Sequence, residues 1–245
     1  MTKYITTSWD DGHPADRRLA DLLGKHDLKA TFYIPRANPG YRVMKEEEIA
    51  ALGRHFEIGG HTLGHLNLKT LPPRRAQEEI EGSFDWLRSL LGKDPISFCP
   101  PFGEYSKRSL AMIYGAGFRV IRTVELLSPA GATRKGMLPT TVQMFDHTPS
   151  TYFKHLLKRG RLRNLSLWCG SHFAADTFRL IDHYIEHINS HGGCLHLWGH
   201  SWEIENHRYW TKLERVFAAI SHLPGFAYVE NGQFEPHRAA QKETT

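Results

Sequence analysis

Lys3-Tyr4-Ile5-Thr6-Thr7-Ser8-Trp9-Asp10-Asp11-Gly12 opens the chain with a short β-rich run, Lys3 to Ser8, that ends on two adjacent carboxylates and a glycine. A helical segment through Leu19, Leu22 and Leu23 follows, and Ala30 to Ile34 is a second apolar run stopped by Pro35. Strand, helix, strand is the unit of a parallel sheet, and the alternation continues. Glu46 to Leu52 reads as a helix with an acidic first turn, and Phe56 to Gly59 as a brief strand. Arg74 to Leu91 repeats apolar residues at helical spacing (Ala76, Ile80, Phe84, Leu87, Leu91) before Gly92. Strands are expected at Ile96 to Cys99, Phe118 to Val124, Leu138 to Phe145, Cys194 to Trp198 and Phe226 to Val229. Helices are expected at Ser109 to Tyr114, Thr151 to Lys158, Thr177 to Ser190 and Trp210 to Leu223. Seven or so such units predict an α/β fold whose parallel sheet rolls into a (β/α)7–8 barrel.

The chain has 245 residues, a length that suits one domain, expected over 1–237 with a disordered tail at 238–245. Hydrophobic residues make up 40% and charged residues 23%, ordinary for a soluble domain. The net charge is +5, but Lys and Arg are spread along the chain, so no nucleic-acid partner is expected. The densest basic stretch, Lys154 to Arg163, reads as a solvated face. Cys99, Cys169 and Cys194 are far apart with no C-x-x-C pair, which argues against a disulfide framework or a thiolate zinc site. No apolar run reaches the ~20 residues of a spanning helix, so no transmembrane segment is expected. The N-terminus shows no apolar leader region, which makes a cytoplasmic location the expectation. Oligomeric state is not encoded in any pattern found.

In parallel α/β folds the chemistry collects where strands end. Asp10 and Asp11 stand at such an end; a turn at Gly12 would bring both carboxylates to one site, while the alternative is that they cap the next helix. His61 and His65 follow a strand and the Gly59-Gly60 pair, at the four-residue spacing that sets two imidazoles on one helical turn. His183 and His187 share that spacing on an amphipathic helix and read as solvated. Two imidazoles and one carboxylate leave coordination positions open on Zn²⁺ or a similar ion, as a catalytic centre requires.

Thr7-Ser8-Trp9-Asp10-Asp11-Gly12 followed by His61-Thr62-Leu63-Gly64-His65 resembles the first two motifs of the polysaccharide deacetylase family, carbohydrate esterase family 4 with its NodB-homology domain. The resemblance implies a distorted (β/α) barrel that removes acetyl groups from sugars with a divalent metal, commonly zinc, with cobalt, nickel or iron as other candidates. It makes Asp10 the catalytic base and Asp11, His61 and His65 the metal ligands. The third motif of the family has an Arg before a Pro-rich turn with an aromatic residue and Gly; this sequence has Cys99-Pro100-Pro101-Phe102-Gly103. Pro101 and Phe102 are therefore expected at the substrate groove, and Arg119 or Arg122 on the next strand is the candidate replacement for the missing charge. The backbone N–H after Pro101 is expected to face the oxyanion. The last motif, an apolar strand ending in a His that acts as general acid, corresponds to Leu195-His196-Leu197-Trp198-Gly199-His200-Ser201-Trp202. His196 is the first choice for the acid and His200 the alternative or its partner. Trp198, Trp202 and Trp168 are expected to stack on sugar rings, and Glu203 and Glu205 to contact substrate.

The expected function is thus a metal-dependent hydrolase taking a small acyl group from an N-acylated sugar or polysaccharide, in surface-polysaccharide synthesis. One alternative is a relative of the same fold acting on a non-sugar amide or formamide, which the altered third motif favours. Another is an inactive carbohydrate-binding homologue.

Overall fold

Strand β1 (Lys3–Asp10) lies at the centre of the sheet, paired in parallel on one side with β2 (Ala30–Ile34) and on the other with β8 (Gly193–His200). The computed structural model describes residues 1–158 and 160–234, so the tail expected at 238–245 lies outside the described residues. From β2 the sheet continues through β3 (Glu57–Gly60), β4 (Ser97–Phe98), β5 (Val120–Arg122) and β6 (Met137–Leu138); beyond β8 lies β7 (Val142–Gln143). Every pairing in this path is parallel, and β9 (Ala227–Tyr228) adds a short parallel pairing on β1.

The two ends of the eight-strand order, β6 and β7, are consecutive in sequence and separated only by 139–141. The four Cα steps from Leu138 to Val142 span roughly 14 Å at most. The curled sheet therefore comes round on itself and is closed by a covalent link instead of a ladder. Here the structure differs from the single strand expected at Leu138 to Phe145. Pro139 has no N–H to give a ladder, while the N–H groups of Thr140 and Thr141 donate to the carbonyls of Glu125 and His196.

Register explains what lies inside. Thr6, Ser8 and Asp10 of β1 pair with His196, Trp198 and His200 of β8, and alternation puts all six on the inner face. Ile5 and Trp9 point outward and are fully buried with Leu19 and Leu23 of α1 (Asp16–Lys25) and Phe217 of α9 (Trp210–Ile220). A second apolar cluster joins Ile80 and Phe84 of α3 (Pro73–Leu91) to Phe98, Phe118 and Ile113 of α4 (Lys107–Ala116). Burying each such side chain contributes about 1.5–3 kcal/mol, so the apolar layers outside the strands hold the barrel together and leave its interior free to be polar.

The inner end opposite Asp10 is plugged. The Asn231 side chain accepts from the Thr6 hydroxyl (2.9 Å) and donates to the Tyr33 hydroxyl (3.0 Å), and its N–H donates to Thr31 Oγ1 (2.9 Å). Glu57 accepts from Thr31, Ser97 and the Gly232 N–H, at 2.6, 2.7 and 2.7 Å.

The remaining helices are α2 (Glu46–Leu52), α5 (Pro149–Lys158), α6 (Leu162–Gly170), α7 (Thr177–His191) and α8 (Ser201–Asn206). Asp176 caps α7 by accepting from the N–H groups of Phe178 and Arg179. Sequence patterning finds neither α6 nor α8; both are short, and α6 begins inside the basic stretch read as a solvated face. Among the described residues no helix is long and apolar enough to cross a membrane.

Candidate active site

β1 delivers Asp10 in extended backbone, and the next residue leaves it: Asp11 has φ +80° and Gly12 φ +63°. A Cβ on Gly12 would come within 2.5 Å of Ile34, so the turn needs glycine for space as well as for conformation. The reversal carries Asp11 to the side that Asp10 already faces. The Trp202 indole N–H (2.8 Å) and the Asn38 amide (3.3 Å) donate to Asp11 and fix it there.

His61 and His65 do not share a helical turn. They lie on an irregular segment after β3, with Thr62 and His65 at positive φ. Its shape is set by Glu79 of α3, which is buried, accepts from the Gly64 N–H (2.7 Å) and pairs with Arg75 (2.7 Å). The His61 Nδ1 lies 2.6 Å from the carbonyl of Cys99. A carbonyl only accepts, so Nδ1 carries the proton and Nε2 is left for the site. That Nε2 is 3.7 Å from Asp11 Oδ1, and His65 Nε2 is 3.0 Å from the same oxygen.

Asp11, His61 and His65 offer one ligand atom each, all within 4.8 Å of one another. Their electrostatics suit a cation. Burial alone would raise the Asp11 carboxyl, yet its hydrogen bonds and charge interactions with His61 and His65 hold it well below the usual range. Burial would lower His61, but Cys99, Asp11 and Asp10 together outweigh it and raise the imidazole to about 10. A site that concentrates this much preference for positive charge on borderline and hard donors, with both His61 and Asp11 braced from behind, fits a divalent metal.

Asp10 sits beside this cluster and is ion-paired to Arg122 of β5, whose guanidinium is fully buried. Arg122 lies over the rings of Trp198 (4.7 Å) and Tyr33 (5.2 Å). Of the two expected replacements for the missing Arg it is Arg122 that reaches Asp10; an Arg119 Nη donates instead to the Phe118 carbonyl. Cys99 is buried with its sulfur 4.0 Å from Asp10, and burial, the largest influence, raises its thiol. A buried, protonated thiol behind the base is packing, not a nucleophile.

The two histidines of β8 separate sharply. His200 lines the cleft, with Nε2 4.0 Å from a carboxylate oxygen of each of Asp10 and Asp11, and Nδ1 2.6 Å from Glu203. Burial would lower it, but the bond to Glu203 and the neighbouring carboxylates raise it. His196, two repeats of the pleat deeper, is wholly buried, with Nε2 2.9 Å from the Ser8 hydroxyl and Nδ1 2.9 Å from the Pro139 carbonyl. Burial, reinforced by Arg122, pushes it down to about 3. His196 therefore has no free nitrogen and no proton to give, and the sequence-based preference for it over His200 is corrected by its depth.

A cleft of about 500 Å³ opens over Asp10, Asp11, His61, His65 and His200. Phe102, at positive φ and 62% exposed, stands on its rim 4.9 Å from the His65 ring. Trp198 and Trp202 also line it, and Tyr41 stacks on Trp202 at 4.2 Å. Pro101 is buried beneath the turn, and it is Pro100 that borders the cleft. Trp168 is buried beside Tyr152, away from the cleft. Glu203 lines the cleft but is taken by His200, and Glu205 is engaged by Trp210. Tyr41, Gln143 and His147 also line the cleft and carried no sequence signal. The pairing of His200 with Glu203 was legible as an i, i+3 spacing across a helix start.

Comparison with known proteins finds relatives among deacetylases. The family model for polysaccharide deacetylase matches residues 1–121. A chitin deacetylase from Pestalotiopsis sp is 30% identical over 116 residues, 46% of this chain and 39% of that protein. A peptidoglycan-N-acetylglucosamine deacetylase from Bacillus cereus is 27% identical over 120 residues, 48% and 43% of the two. The match thus spans less than half the length of either relative. Among solved structures, a candidate polysaccharide deacetylase from Mycobacterium smegmatis superposes with a TM-score of 0.65 at 15% identity, over 99% of this chain and 92% of that one. The Xyl-CE4 domain of a multidomain xylanase from the hindgut metagenome of Trinervitermes trinervoides gives 0.57 at 13% identity, over 96% and 90%. At such identities the structures establish a shared fold.

Proposed function

Since residues 1–121 match the polysaccharide deacetylase family, we propose that the chain is a metal-dependent hydrolase that removes an acetyl or other small acyl group from an N-acylated sugar or polysaccharide, in the synthesis of a surface polymer. The observation that carries this reading is the meeting of Asp11, His61 and His65 beside an Arg-paired carboxylate and a free-edged histidine in one cleft. A structural metal site would need neither of the latter two.

Asp11, His61 and His65 are the ligands, and a set of two imidazoles and a carboxylate suits Zn²⁺, with Co²⁺, Ni²⁺ and Fe²⁺ accepting the same donors. Such an ion lowers the pKa of water from 15.7 toward ~7 and polarises an acyl carbonyl. Asp10, held by Arg122 through Oδ1, uses the other carboxylate oxygen to take a proton from the attacking water. The Phe102 backbone N–H faces the developing oxyanion. His200, backed by Glu203, gives its Nε2 proton to the departing nitrogen. Trp198, Trp202, Tyr41 and Phe102 form apolar walls on which a sugar ring stacks.

The non-sugar amide reading drew its support from the missing Arg at position 99. With Arg122 supplying the charge from β5, that support is gone. The complete set of base, ligands and acid likewise counts against a silent binding protein. The test is acetate release from a panel of N-acetylated sugars and oligosaccharides, with and without chelator. Chelator-sensitive release supports the proposal; release from no sugar, alongside turnover of a cyclic ureide or formamide, would overturn it.

A further inference from the structure

The basic stretch noted in the sequence has no part in the chemistry above. Residues 147–175 contain five Lys and Arg (Lys154, Lys158, Arg159, Arg161, Arg163) and no Asp or Glu. Their formal charge of +5 equals that of the whole chain, so everything else balances at 26 basic and 26 acidic residues. A solvated face would account for charge, but not for what accompanies it. Phe153, Leu157 and Leu162 are 44, 50 and 70% exposed. Phe153 and Leu157 stand four apart on α5 and share one face, with exposed Lys154 and Lys158 beside them. Helix α5 ends at Lys158, and Gly160 in the left-handed conformation follows, with the Gly160 and Arg161 N–H groups closing on the carbonyls of Leu157 and Leu156. This turn brings Leu162, and then exposed Arg163, in directly after the apolar pair. Arg161 is spent on Glu125 at 2.6 Å, while Lys154, Lys158 and Arg163 stay exposed.

We propose that this α5–α6 face docks on an anionic lipid bilayer, with Phe153, Leu157 and Leu162 entering the interface and the flanking cations meeting lipid headgroups. Exposed Phe and Leu interleaved with Lys and Arg are the composition of a helix lying in a membrane surface. A second copy of the chain is a poorer occupant. A two-fold contact would set this face against itself, cation on cation, with no acidic residue between 147 and 175 to neutralise it. The opposite side of the same helix reaches the catalytic cleft through Thr151 and His155. Docking here therefore holds the cleft beside the membrane, and, resting on the deacetylase reading, it makes an acylamino sugar carried on a lipid the substrate that the site meets.

The test is co-flotation of the full chain with vesicles of phosphatidylglycerol and phosphatidylcholine, against vesicles of phosphatidylcholine alone. The protein is expected to float with the mixed vesicles and to be released by salt. Lys154→Gln and Lys158→Gln should each weaken partitioning about fivefold, as one cation near an anionic surface is worth. Phe153→Ser with Leu157→Ser should abolish it, while acetate release from a short soluble substrate stays unchanged in all these variants. Absence of flotation with mixed vesicles, or equal flotation with both kinds, overturns the proposal, as does a dimer in light scattering that the Phe153→Ser and Leu157→Ser changes dissolve. Flotation reads binding without turnover and soluble turnover reads catalysis without vesicles, so failure of this inference and failure of the deacetylase reading are separable.

Discussion

His200 and His196 are the same residue type on the same strand and the same inner face, four residues apart, and they live in opposite chemical worlds. At the mouth of the barrel His200 keeps an open nitrogen among carboxylates and is pulled toward protonation. Two layers down, His196 has both nitrogens engaged by Ser8 and Pro139 and is pushed toward neutrality by burial and Arg122. Depth along the barrel axis, not residue identity, separates chemistry from architecture. Arg122 bridges the two layers, holding Asp10 above while repelling a proton from His196 below.

The largest effects should come from the mouth. Asp10→Asn is expected to lower turnover by about 10²–10⁴-fold, the usual contribution of a positioned base, with bound-metal stoichiometry intact. His200→Gln should fall in the same range with little change in melting temperature. An Asp10→Asn protein that still turns over would end the base assignment, and a fully active His200→Gln protein would end the distinction between the two histidines.

Next in size is the bridge. Removing one partner of a buried ion pair leaves the other charge uncompensated, at a cost of about 3–5 kcal/mol. Arg122→Met should therefore destabilise the fold, read by denaturant unfolding, and depress turnover with it. Adding Cys99→Arg restores a guanidinium from the position just past β4, where the present side chain lies 4.0 Å from Asp10. Partial recovery of turnover in the double variant would show that the charge matters and its strand of origin does not.

This relocation shows what the sequence does and does not carry. Asp10, Asp11, His61 and His65 were legible because each lies at a strand end within a short motif, and the strand-helix alternation was legible because apolar periodicity is local. Arg122 could be named only as one of two candidates, since its reach to Asp10 depends on β4 and β5 being neighbours in register. The ranking of His196 above His200 failed for the same reason: a period-2 pattern assigns a face, while depth on that face is fixed by the pairing of Thr6 with His196 and Asp10 with His200. The helical turn expected for His61 and His65 was also misleading. Positive φ at Thr62 and the buried Glu79, fifteen residues beyond the Gly64 N–H it accepts from, shape that loop, and neither is visible as local spacing.

The lower layer gives a smaller signal. His196→Ala removes a buried ring and leaves Ser8 and Pro139 without partners, a loss of about 1–3 kcal/mol for an unsatisfied buried group. The melting temperature should fall while kcat of the folded fraction is preserved. A loss of kcat matching that of His200→Gln, at unchanged stability, would mean that the two layers are not distinct.

The finest test lies behind the mouth, at Asp16 in the first turn of α1. Its carboxyl is fully buried, with the Ser201 hydroxyl as the polar group that favours its charged form. Burial, the largest influence, with Asp11 and Asp10 adding to it, outweighs Ser201 and His200 and raises the group well above its ordinary value of 3.8. The sign follows from proton counting. Between 3.8 and the raised folded value the unfolded chain has released its proton and the folded chain has not, so the unfolded state binds fewer protons and stability falls as pH rises. Asp16→Asn keeps the shape without the proton, so this slope should vanish and the variant should gain on the parent across that window. The difference should grow by at most about 1.4 kcal/mol per pH unit, the linkage limit for one proton. Denaturant unfolding of both proteins in chelator, from acid to neutral pH, measures it, and taking the difference cancels the titration of the metal ligands they share. Parallel curves would mean that Asp16 is charged in the fold and that the mouth's demand for positive charge extends one shell further than its ligands.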